Sequence, residues 1–163
     1  MYIPFDKMPN SSRVWIYQSD REITKIEESN IEKDLEKFCN EWNAHGISLN
    51  SSFKIYHKYF IVLAVNEALN KASGCSIDSS LKKINEIEQK HCLNLLNRGF
   101  SAFLINNKIT LIETIHLESE IKLEKINNQS IFFNNLAASI EDLSNKWKVP
   151  VGTTWLKKYF NNK

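Results

Sequence analysis

Tyr59-Phe60-Ile61-Val62-Leu63-Ala64-Val65 is the longest unbroken apolar run in the chain. Its density of β-branched and aromatic side chains reads as a strand buried on both faces, and so as the centre of a sheet. Just upstream, residues 53–55 carry the same composition, and His57-Lys58 between the two runs predicts a hairpin. Further out, Arg13–Gln18 (R-V-W-I-Y-Q) predicts a strand with Trp15 and Tyr17 on one face and Val14 and Ile16 on the other. Between these strands Ile31, Leu35, Phe38, Cys39 and Trp42 fall on one stripe of a helix, with His45-Gly46 as its expected C-cap.

Downstream of the central run, Ile77, Leu81, Ile84, Ile87 and His91 recur at helical spacing, with Ser76 or Asp78 able to cap the first turn. Phe100–Ile105 and residues 109–112 flank Asn106-Asn107-Lys108, where asparagine tolerates the positive φ of a tight hairpin. The last third predicts a short helix over residues 117–126, a strand over 130–133 and a helix over 139–147 ended by Pro150. The order is β-α-β-β-α-β-β-α-β-α. Its first six elements match a ferredoxin-like unit, and other wirings of the same elements remain open. The expectation is a single α+β domain over residues 1–163: a sandwich of a mostly antiparallel sheet with helices.

Composition agrees with one core. The chain has 163 residues, 42% hydrophobic and 25% charged, and at that length about two-thirds of the unfolded surface can be buried without disulfides or metal. A net charge of +2 gives no argument for a nucleic-acid partner. The charge is unevenly spread: residues 20–41 hold eight acidic and four basic side chains, and residues 144–163 hold five lysines and no acid. No apolar run approaches the roughly 20 residues of a membrane span, and no apolar signal stretch opens the chain, so a cytoplasmic protein without a membrane partner is expected. Cys39, Cys75 and Cys92 form an odd set without C-x-x-C spacing, which suits a reducing compartment. Cys39 and Cys92 read as core residues. His45, His57, His91 and His116 include no i, i+4 pair, and neither a metal site nor a cofactor motif is read. Gly46, Gly74, Gly99 and Gly152 are too far apart for a dinucleotide fingerprint or a P-loop.

The segment that could carry chemistry is Ala72-Ser73-Gly74-Cys75-Ser76-Ile77-Asp78-Ser79-Ser80. It opens the second helix, where backbone N–H groups lack internal partners and the helix dipole favours an anion. Gly74 allows a sharp turn or close approach of a ligand. Ser73, Ser76, Ser79 and Ser80 add hydroxyls, and Lys71, Lys82 and Lys83 add nearby charge. A phosphate or a carboxylate is the guest this chemistry suits. Asp78 competes for the same potential, or holds a metal bound to the ligand, and the plain alternative is that Ser76 and Asp78 only cap. Cys75 offers a second reading, a thiolate stabilised at the helix start and acting as nucleophile. A third lies at the C-terminus, where Trp147, Trp155, Tyr159 and Phe160 interleave with lysines. Such a stretch stacks nucleobases or, as preferred here, packs onto the sheet or a second subunit.

Trp15-Ile16-Tyr17-Gln18, the Phe38, Trp42 and Ala44-His45-Gly46 cluster, residues 60–65, residues 72–80, Phe133-Asn134-Asn135, and Trp147 with Pro150 together resemble a family of small uncharacterised bacterial proteins often labelled "ABC transporter ATPase". The likeness covers nearly the whole chain, and A-S-G-C-S-I-D-S-S is its most specific piece. The label finds no support, since phosphate wrapping of that kind requires a Walker A loop. Where the family carries Asp-Glu-Ser after the central strand, this chain has Asn66-Glu67-Ala68, which leaves Glu67 as the acidic candidate. The resemblance implies no established activity, substrate or cofactor. Three readings therefore stand: a module binding an anionic small molecule or nucleotide phosphate at residues 74–80, a Cys75 thiol enzyme, and a structural or regulatory homodimer.

Overall fold

Three strands of the N-terminal half, β1 (Arg13–Gln18), β4 (Asn50–Tyr56) and β5 (Phe60–Asn66), form one antiparallel sheet in the order β1-β5-β4. The strand numbering leaves room for a two-stranded hairpin, β2 (Asn43–Ala44) and β3 (Ile47–Ser48), earlier in the chain. As the composition of residues 59–65 predicts, β5 is central, and every residue from Phe60 to Val65 is buried. The computed structural model describes residues 1–160. Within them the architecture is α+β, with four α-helices and three antiparallel sheets. The chain divides into two compact units, Met1–Leu96 with Ala137–Asp142, and Asn97–Leu136 with the chain from Leu143 onward.

In the first unit, α1 (Lys25–Glu41) starts at Thr24, whose hydroxyl accepts the Glu27 N–H while the Glu27 carboxylate accepts the Thr24 N–H. This reciprocal box satisfies two donors that the helix itself cannot. Ile31, Leu35 and Cys39, spaced by four, form its buried stripe, and α2 (Gly74–His91) adds Ile84 and Ile87. Both helices pack on the sheet face that carries Tyr17, Phe53, Ile61, Leu63 and Val65. Burying each large aliphatic side chain here stabilises the unit by about 1.5–3 kcal/mol before entropy is counted.

The first helix ends earlier than predicted. Trp42 is its C-cap in extended geometry, and His45 and Gly46, with φ of 52° and 79°, turn the hairpin of β2 and β3. Two consecutive positive φ values are what a two-residue hairpin turn demands, so the pair that resembles a C-cap serves a strand instead.

The second unit holds β6 (Phe100–Ile105), β7 (Lys108–Glu113), β8 (Ile131–Phe133) and β9 (Lys148–Pro150), in the order β7-β6-β8-β9. Asn106 and Asn107 take φ of 49° and 60°, the hairpin conformation expected of them. The core gathers Phe103, Ile112 and Phe132 from the sheet, Leu117 and Ile121 from the short α3 (Leu117–Lys122), and Val151 and Leu156 from the 3-10 turns beyond β9. The helix predicted over 139–147 is α4 (Ile140–Asn145), and Pro150 closes the short edge strand β9, a position that requires no N–H from proline. A ferredoxin-like core is not shown: β1 runs antiparallel beside β5, and Phe100–Ile105 pairs with β7 and β8 in a separate sheet. No helix among the described residues is long and apolar enough to cross a membrane.

Candidate functional site

The start of α2 is positioned by a clamped loop. At its beginning the Asn66 side-chain oxygen accepts the Ala68 N–H at 3.1 Å. Glu67 accepts the Ala72 N–H at 3.0 Å and faces the Arg13 guanidinium at 3.6 Å, and Arg13 in turn lies 4.7 Å over the Trp15 ring. The Asn70 amide donates to the Ile47 carbonyl at 3.1 Å. Glu67, the acidic candidate of the sequence reading, thus fastens the loop that delivers the chain to Ser73.

Ser73 is the N-cap. Its hydroxyl accepts the Ser76 N–H at 3.3 Å and its carbonyl accepts both the Ser76 hydroxyl, at 2.8 Å, and the Ile77 N–H, at 2.9 Å. The Ser79 hydroxyl donates to the Cys75 carbonyl at 2.9 Å and the Ser80 hydroxyl to the Ile77 carbonyl at 2.7 Å. Ser76 and Ser80 are buried, Ser79 and Asp78 exposed. The hydroxyls of Ser76, Ser79 and Ser80 therefore bond back onto the helix. What faces solvent is the pair of N–H groups at Gly74 and Cys75, the first two helical positions, for which the described residues supply no acceptor.

Gly74 does not use the backbone freedom expected of it. Its φ is not positive, and a Cβ there would meet nothing within 4 Å. Open space above the chain, rather than a sharp turn, is what glycine provides at this position. Ile84 and Ile87 face inward as predicted, but in the first turns of α2 the buried residues are Ser76 and Ser80 in place of Ile77 and Leu81, the latter 41% exposed. The reason is Trp42, whose indole N–H donates to the Ser76 carbonyl at 2.8 Å. Only a small side chain at the contact lets the ring come that close, and Phe38 and Trp15 stack around it at 4.9 Å and 6.0 Å.

The cysteines separate by environment. Cys39 is fully buried and its thiol is pushed up to about 12 by desolvation, which removes it from thiolate chemistry at neutral pH. Cys75 is exposed at the helix start. Cys92, predicted to be core, is exposed too, because it ends α2 in the left-handed conformation with φ of 50°. Its N–H bonds to the Glu88 carbonyl, as a C-cap requires. Of the histidines, His57 sits at the β4–β5 turn as predicted, and His91 is partly buried at the end of α2. At the C-terminus, Tyr159 and Phe160 pack against the second core while Trp155 is 48% exposed, with the Lys158 ammonium over its ring at 5.3 Å.

A concave feature in the second unit escaped the sequence reading. A groove of about 960 Å³ in the second unit is floored by Leu111 and Ile112 and rimmed by Glu113, His116, Glu120 and Lys125. Its residues come from β6, β7, α3 and the loop before β8; the strands and the helix are each predicted, but nothing in the sequence shows that they come together around a cavity. Among the described residues no group of three His, Cys, Asp or Glu side chains comes together in a way that could hold a metal ion. Compared with the models of known families, with curated proteins and with solved structures, the chain matches none.

Proposed function

We propose that the chain is a binding module whose guest is a small anion, a nucleotide phosphate or a carboxylate, held on the N–H groups of Gly74 and Cys75. The observation that carries this reading is that these two amides open an 18-residue helix, lack a protein acceptor among the described residues, and belong to exposed residues. A helix of that length concentrates partial positive charge on its first turn. Ser73, Ser76, Ser79 and Ser80 act by holding the turn in shape. Asp78 is exposed but lies past the first turn, which holds no acidic residue to compete with a guest. The likeness of residues 72–80 to the small bacterial family fits a role for this segment and brings no activity with it.

Gly74→Pro tests this with little collateral damage. Proline is favoured at the first helical position, and Ser73 already has the extended backbone (φ −89°, ψ 167°) that a following proline requires. The change deletes one open N–H and breaks no bond within the protein. Inorganic phosphate and ATP should raise the Tm of the natural chain in proportion to occupancy, and the rise should shrink in Gly74→Pro. No rise in the natural chain, or an equal rise in both, ends the proposal.

The alternative thiol reading rests on Cys75, which is exposed at the start of α2. That reading requires iodoacetamide at neutral pH to label Cys75 well ahead of Cys92, the other exposed thiol; equal rates reject it. The homodimer reading keeps Trp155 as its exposed aromatic.

A further inference from the structure

We draw no further inference here: the strongest candidate, the free outer edge of β7 beside the groove of the second unit, carries nothing, because nothing among the described residues shows what covers it.

Discussion

The two long helices of the first unit begin with the same device and finish it differently. Thr24 and Ser73 are both N-caps whose hydroxyl accepts the N–H three residues on, at 3.3 Å in each case. At α1 that third residue is Glu27, and its carboxylate returns to the Thr24 N–H at 2.8 Å and takes Arg21 as a partner at 2.7 Å. At α2 it is Ser76, whose hydroxyl turns to the Ser73 carbonyl and whose own carbonyl is gripped by Trp42. One helix start is closed by its own charge. The other is held from behind by a distant aromatic ring, which leaves its positive end facing water. The difference teaches that two helices with the same kind of cap can differ in charge at their start, because the residue at the third helical position differs.

The largest expected effect breaks the anchor behind α2. Trp42→Ala should destabilise the first unit by about 3–5 kcal/mol, because it empties a buried aromatic site and leaves the Ser76 carbonyl without its donor. Trp42→Phe isolates the hydrogen bond, with a smaller loss of about 1–3 kcal/mol. Hydrogen exchange should show the Ile77 amide opening more than the Glu28 amide, both of which bond to their N-cap carbonyls. Equal opening at the two helix starts would show that Trp42 supports the core as a whole and does not single out α2.

Much of this fold could be read from the residues because the long elements carry a period. The central run at β5, the strand at Arg13–Gln18, the stripe Ile31-Leu35-Cys39 and the Asn106-Asn107 turn all stand where pattern places them. Reading failed where burial was achieved by something other than hydrophobicity. Ser76 and Ser80 are buried because their hydroxyls bond to carbonyls of their own turn and their small volume admits an indole, whereas periodicity prefers Ile77 and Leu81. Strands of two or three residues such as β2, β3 and β9 are too short to express alternation, so the second sheet, the last strand of the third and the groove in the second unit had little signature, whereas β6, β7 and β8 stand where strands were predicted. For the candidate site, the segment was legible from its cap chemistry, but which of its groups face solvent was not. That depends on Trp42, distant in the chain.

A finer contrast is electrostatic. The Glu27 carboxyl is lowered from 4.5 to about 2, first by the hydrogen bond from Arg21 and then by the backbone N–H of Thr24. Its folded value lies below its unfolded one, so the stabilisation it contributes is complete above about pH 4.5 and is lost as the pH falls toward 2. Nothing equivalent closes α2, where no carboxylate bonds to Ser73 among the described residues. Thr24→Ala and Ser73→Ala should each cost about 1 kcal/mol at neutral pH, the ordinary loss of a cap. Glu27→Gln should cut the stability difference between pH 5 and pH 2.5, measured by urea unfolding, while Ser73→Ala should lower the curve uniformly and leave its slope alone. If Ser73→Ala flattened the acid limb as Glu27→Gln does, a carboxylate, with Asp78 just past the first turn the first suspect, would be closing α2 in solution, and the two helix starts would be alike after all.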